Sequence, residues 1–251
     1  MKILILVLFV INLISISVSA KIIIIDPGHG GMENGAIGGE IVINKIRKKI
    51  LEKDISFLMA KKIKEKLSKK HQVYLTRSFD KTLSLEERAS LAQKIGADLF
   101  ISIHANASES KNSHGFETYY LDNNDNEAVK KVVRLENNDH THHIEANYSE
   151  NPMIHQMLSE LVVGQTVPLS KKLGKTIHQT IKEKIEVTHK MKDRGLKPGL
   201  FFVLAMSKVP GVLLEMGFIS NKNEARKIHE KRFIEDYSDA VSDGVDRFLS
   251  N

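Results

Sequence analysis

Two histidines and two glutamates, His29, Glu52, His104 and Glu215, are the residues from which a catalytic centre could be built. The chain has no cysteine, so a metal would have to be held by imidazole and carboxylate groups. A catalytic Zn²⁺ takes three such N/O ligands and keeps a fourth position for water. Two imidazoles and one carboxylate leave the site net positive, able to polarise a carbonyl and to lower the pKa of bound water to about 7. A carboxylate outside the ligand set is then needed to accept the water's proton and return it to the leaving amine. His29, Glu52 and His104 suit the first role and Glu215 the second. Each also has an ordinary reading. Glu52 at a helix start could be a cap or a dipole partner, a histidine after a strand could be a packing residue, and Glu215 could sit in a surface turn. The joint reading depends on elements that bring all four to one place.

Those elements read as alternating strands and helices. Ile22 to Ile25 is a continuous β-branched run, as in a strand buried on both faces, and it ends in Asp26-Pro27-Gly28-His29-Gly30-Gly31. Helical spacing of Ile55, Leu58, Met59, Ile63 and Leu67 predicts a helix over 53–70, with Glu52 at its start. A short strand is expected over 72–76. A helix over 84–95 opens on Ser84-Leu85-Glu86-Glu87, a capping-box pattern. Further strands are expected over 98–103, just before His104, and over 116–121. Helix 169–187, strand 209–214 and one or two closing helices within 221–249 complete the chain. Val212-Leu213-Leu214 delivers Glu215 straight from the interior, and a carboxylate leaving a buried strand needs a partner. This alternation implies a single α/β domain whose mostly parallel central sheet is flanked by helices on both faces. Ligands of such sheets bind beyond the carboxyl ends of the strands, and all four residues fall at that edge.

With 251 residues, 41% hydrophobic and 27% charged, the chain has the makings of one sizeable core. That composition excludes a wholly disordered protein, a collagen-like repeat and a polytopic membrane protein. The net charge of +6 suits an anionic partner, but no basic stripe interleaved with aromatics is present, so no nucleic-acid partner is expected. Lys2, the apolar run Ile3–Val18 and the small residues Val18 and Ala20 read as a secretory signal peptide over 1–20. A secreted, periplasmic protein is expected, with a domain over 21–251 that meets the membrane only through its signal peptide.

Residues 122–167 break the rhythm. They number 46 where a strand-to-helix connection takes about 2–6. They hold eight acidic residues against three basic ones in an otherwise basic chain, which marks them as an inserted segment of their own character. Stretches 127–137 and 152–163 look helical within it. His140, His142 and His143 could in principle hold a second metal, though adjacent histidines in a polar loop share no obvious geometry.

Beyond these separate features, the motifs Ile25-Asp26-Pro27-Gly28-His29-Gly30-Gly31, Glu52-Lys53-Asp54, Leu75-Thr76-Arg77, Ser102-Ile103-His104-Ala105-Asn106-Ala107, Gly115-Phe116-Glu117-Thr118-Tyr119-Tyr120 and Leu214-Glu215-Met216-Gly217-Phe218-Ile219-Ser220-Asn221 resemble, in order, those of the zinc-dependent N-acetylmuramoyl-L-alanine amidases. The likeness runs from about Ile22 to Leu249. It implies cleavage of the peptidoglycan amide between N-acetylmuramic acid and L-alanine of the stem peptide. It also implies zinc on His29, Glu52 and His104, Glu215 as catalytic carboxylate, and Asn106 as a substrate contact or loop brace. The nearest alternatives are a zinc peptidase acting on stem peptides and a non-catalytic wall-binding protein on the same fold. The stretch between His29 and Glu52 is longer than in the family and makes Glu40 a rival ligand. The insertion resembles that of cell-division members, in which a helix occludes the zinc until an activator protein displaces it at the septum. Glu136, or failing that Glu145, would then be the inhibitory fourth ligand in a partly helical regulatory segment. Arg77 could clamp a substrate carboxylate or serve a structural ion pair.

Overall fold

The isoleucine run at the start of the described chain becomes strand β1 (Ile22–Pro27), second from one edge of a six-stranded sheet. The structure, a computed structural model, describes residues 20–43, 46–122, 127–137 and 166–250. The remaining strands are β2 (Ile37–Ile43), β3 (Ile46–Leu51), β4 (Gln72–Leu75), β5 (Leu99–Asn106), β6 (Phe116–Leu121), β7 (Asp193–Gly199) and β8 (Gly211–Phe218). The main sheet has the order β4-β1-β5-β8-β6-β7. Strands β4, β1, β5 and β8 are parallel neighbours, whereas β6 runs antiparallel to β8 and parallel to β7.

Alternation along the central strands decides which helices cover which face. Ile23, Ile25, Ile101, Ile103, Val212 and Leu214 point to one side. There they meet α1 (Glu52–Leu67), α4 (Thr166–Ile181) and α7 (Lys231–Leu249) through residues such as Ile55, Ile177 and Phe233. Ile24, Phe100 and Leu213 point to the other side, under α2 (Leu85–Ile95), α3 (Glu127–Glu136) and α5 (Phe202–Ser207). Helix α6 (Lys222–Lys227) follows β8. Each fully buried isoleucine or leucine in these layers contributes about 1.5–3 kcal/mol of transfer free energy. The α/β architecture and its mostly parallel sheet match the expectation from the sequence.

Several boundaries differ, each for a pairing reason. Strand β1 continues through Asp26 and Pro27 because both pair with β5, opposite Ser102 and Ile103. Strand β5 runs on to Asn106, so His104 and Asn106 lie within a strand rather than in the loop after it. Likewise Glu215 sits inside β8, directly opposite His104. The stretch between His29 and Glu52, expected only as an extension, folds as the antiparallel hairpin β2–β3. Strand β7 and helix α5 were also unforeseen, because 193–199 lacks β-branched residues and α5 spans only six residues. Helix α4 begins earlier than 169 and passes into a π-turn at Lys182–Glu186 and a last turn at Val187–His189. Ser84 caps α2 as expected, with Glu87 N donating to its hydroxyl at 3.1 Å and Ser84 N donating to the Glu87 carboxylate at 2.8 Å. The proposed signal segment, Glu145, the three histidines at 140–143 and the helix expected over 152–163 lie outside the described residues.

Candidate metal centre

Three strands and a helix start deliver the site. Gly28 closes β1 against β5, where a Cβ would come within 2.4 Å of the His104 ring, so only glycine allows that imidazole to lie across the strand end. His29 follows at φ 58°, in the left-handed region that non-glycine residues rarely adopt. Glu52, the first residue of α1, is carried in by β3. His104 and Glu215 come from the adjacent strands β5 and β8.

These positions bring His29, Glu52, His104 and Glu136 together, with one ligand atom from each lying within 4.8 Å of the others. His29 Nε2 is 3.1 Å from Glu52 Oε2, and His104 Nδ1 is 3.0 Å from Glu52 Oε1. Glu136, at the end of α3, places Oε2 2.9 Å from His104 Nδ1 and 3.7 Å from His29 Nε2. The two imidazoles meet edge to face, with centroids 5.1 Å apart. Backbone amides hold the Glu52 carboxylate, Ala36 N donating at 2.8 Å and Ala105 N at 3.0 Å. Glu40, the rival ligand, is exposed in the hairpin 4.0 Å from Arg47 and takes no part.

The donor chemistry fits a cation. Burial disfavours charge on His29, Glu52 and His104, yet the His29 and His104 charges outweigh it for Glu52, whose carboxyl is held well below the usual range. For His29 and His104, burial pulls the pKa down, but the facing carboxylates, Glu52 and Glu136, win and raise both above the ordinary histidine value. Among the described residues, buried His29 Nε2 has no hydrogen-bond partner. Two imidazole nitrogens converging on two carboxylates form a donor set that Zn²⁺ accepts.

Glu215 stands apart from that cluster. It is 1% exposed, and among the described residues neither of its oxygens has a hydrogen-bond partner. Burial, followed by the Glu136 charge, pushes its pKa well above the usual carboxylate range. Its neighbour across the β6–β8 pairing is Glu117, also buried but neutralised by Arg194, by Lys197 at 3.1 Å and by the Tyr119 hydroxyl. Asn106 donates to Glu117 at 3.5 Å, which braces the same row.

Above the cluster lies a cavity of about 540 Å³. Its walls include Gly35, Leu85, Val132, Asn106 and Phe201, so α2, α3 and the turn before α5 enclose it. The end of α3 is clasped there by Asn137, whose amide donates to Leu200 O at 2.8 Å and accepts from Phe202 N at 2.8 Å.

Sequence reasoning missed the frame beneath the histidine loop. Asp26 is 1% exposed and accepts hydrogen bonds from Thr76, Arg88 and Ser102. The logic that singled out Glu215, a carboxylate leaving a buried strand, applies equally to Asp26. Arg77 is no substrate clamp: it is buried and donates to the carbonyls of Pro27, Gly28 and Lys53, tying the loop after β1 to the start of α1.

Comparison with known proteins points the same way. The family model for N-acetylmuramoyl-L-alanine amidase matches residues 23–247. The amidase AmiA of Escherichia coli strain K12 is 31% identical over 229 residues, covering 90% of this chain and 75% of that protein. LytC of Bacillus subtilis strain 168 is also 31% identical, over 94% of this chain, but the match spans only 37% of that longer protein. The crystal structure of an N-acetylmuramoyl-L-alanine amidase from Clostridium difficile 630 superposes with a TM-score of 0.68 at 28% identity, covering 92% of this chain and 98% of that one.

Proposed function

Because the chain belongs to the N-acetylmuramoyl-L-alanine amidase family, we propose that it acts as a zinc amidase on peptidoglycan, through its own His29, Glu52, His104 and Glu215. Membership makes it an amide hydrolase of the cell wall. The finer reading is that it cuts the bond between N-acetylmuramic acid and L-alanine of the stem peptide. The observation that carries this reading is the convergence of ligand atoms of His29, Glu52 and His104 within 4.8 Å of one another at the wall of the cavity, with the buried Glu215 carried opposite His104 by the next strand.

In the mechanism, His29, Glu52 and His104 would hold Zn²⁺, which when bound supplies Lewis acidity toward the amide carbonyl and toward water. Glu52 is kept ionised by the facing His29 and His104 and held in place by the backbone amides of Ala36 and Ala105, so it contributes charge without needing a proton. Glu215, buried and raised in pKa, accepts the proton of the attacking water and passes it to the departing alanine nitrogen. The Glu117 network keeps the next carboxylate in the row from competing for that proton. Asn106, which lines the same cavity, is the candidate substrate contact. The expected result with purified sacculi is release of stem peptides carrying a free L-alanine amino end, identified by mass. Chelation should abolish the release and added Zn²⁺ restore it. Digestion unaffected by chelator, or peptides cut elsewhere along the stem, would refute this function.

The insertion supplies the regulation in this reading. Glu136 stands where a fourth ligand would, on a helix clasped by Asn137, and so would exclude the nucleophilic water. Displacement of α3 by an activator protein at the division septum would uncover the site. Glu136→Ala is expected to raise basal hydrolysis of sacculi by roughly 5–150-fold, the range of a coupling worth about 1–3 kcal/mol. Unchanged hydrolysis by folded Glu136→Ala would remove autoinhibition from the account. The substrate lies outside the cytoplasm, which fits a secreted, periplasmic enzyme whose catalytic domain is 21–251, with 122–167 as the regulatory insert and 1–20 as signal peptide. Among the described residues no helix is long and apolar enough to cross a membrane.

A further inference from the structure

The His29 imidazole faces the cluster from a main chain held in an uncommon conformation. Metal-binding imidazoles are ordinarily oriented by a hydrogen bond from the ring nitrogen that does not ligate. Among the described residues nothing bonds His29 Nδ1, while Nε2 faces Glu52 at 3.1 Å. The main chain that carries the ring is at φ 58°, a conformation that non-glycine residues rarely adopt. Such a conformation persists only where its surroundings impose it.

Two buried arginines hold this loop, Arg77 through Pro27 O and Gly28 O and Arg88 through Pro27 O and His29 O, so Arg88 is the one that bonds the histidine's own carbonyl. It lies in the first turn of α2, is 3% exposed, and spends its guanidinium on the loop. Its Nη2 donates to His29 O at 2.9 Å, and its Nη1 donates to Pro27 O and to Asp26 Oδ1, each at 2.9 Å. Its Nε donates to Leu83 O at 3.2 Å, which anchors the same side chain to the segment leading into the helix. One planar fork thus joins the carbonyls on either side of Gly28 to a helix fixed by its own capping box.

We propose that Arg88 is a positioning residue for the His29 metal ligand, its guanidinium clamping the Pro27 and His29 carbonyls to α2 so that the imidazole faces Glu52 and His104. This rests on the metal reading of the site. A lysine at this position keeps the charge beside Asp26 but has no fork to span three acceptors.

The test is zinc affinity of the purified protein, measured by competition with a chromophoric chelator, alongside thermal unfolding of the metal-free protein. Arg88→Lys is expected to weaken zinc binding by about 10–100-fold, the usual cost of losing a group that orients a ligand. Thr76→Val removes the 2.6 Å bond to Asp26 Oδ1 while leaving the Arg88 bonds to the loop carbonyls, and is expected to lower stability while leaving zinc affinity unchanged. Should Arg88→Lys fail to fold, the double variant Asp26→Asn with Arg88→Gln removes both buried charges together, and the same weakening is expected. Wild-type zinc affinity in the folded Arg88 variants, or equal weakening by Thr76→Val, would overturn the proposal. A wild-type protein without zinc affinity would bring down the metal reading and this role with it, a result distinct from both.

Discussion

Glu215→Gln is expected to bind zinc and keep its fold while losing about 10²–10⁴-fold in amide hydrolysis, the usual contribution of a positioned general acid–base. The substitution is isosteric and removes only the capacity to take and return a proton. Its structural cost is small because among the described residues neither Glu215 oxygen makes a hydrogen bond that the amide could lose. The wild-type carboxylate is instead the costly state, buried and facing the Glu136 charge. Unfolding of the metal-free variant should therefore begin no lower than that of wild type. Stem-peptide release from sacculi, with zinc content by elemental analysis on the same sample, reads both halves of the expectation. Turnover close to wild type in a zinc-loaded variant would show that another group moves the proton. Loss of zinc together with activity would make Glu215 a ligand and not a base.

What could be read from the chain and what could not divide along a physical line. His29, Glu52, His104 and Glu215 were legible because each sits at the end of a strongly patterned element, and parallel strands must present their carboxyl ends on one edge. The choice of Glu52 over Glu40 was not decidable from spacing alone, since it depends on β2 and β3 pairing to send Glu40 to solvent and Glu52 inward. Strand β6 was legible as a strand but not as antiparallel to β8, because direction relative to a neighbour leaves no mark on a buried apolar run. The clasp by Asn137 and the fork of Arg88 bond to backbone carbonyls distant in sequence, at Leu200 and at Pro27 and His29. Backbone acceptors carry no residue identity, so no motif could have announced them.

The second large effect is expected in stability, at Asp26→Ala. Removing one partner of a buried ion pair costs about 3–5 kcal/mol, because the remaining charge is left in low dielectric without compensation. Arg88 is that charge, 2.9 Å from Asp26 Oδ1 and nearly excluded from solvent. Thr76 and Ser102 lose their acceptor in the same step, and all three groups hang on the strand end that carries the histidine loop. The pH dependence follows from the same contacts. Burial alone would raise the Asp26 pKa, but the Arg88 charge and the hydrogen bonds from Thr76 and Arg88 outweigh it and hold the carboxyl below its ordinary value. A carboxylate depressed in the folded state contributes stability that is fully present above the unfolded pKa of about 3.9 and is lost as pH falls through the folded value. Urea unfolding of the metal-free wild type should thus show a falling limb at acid pH that is shallower in Asp26→Ala, with the gap between the two proteins widest near neutrality. Asp26→Asn keeps one acceptor oxygen for Thr76 and Arg88 but loses the charge and the second acceptor, and is expected to fall between them. Equal stability of wild type and Asp26→Ala at pH 7 would mean that Arg88 is satisfied by the Pro27, His29 and Leu83 carbonyls alone, and that the buried pair adds nothing to holding the loop.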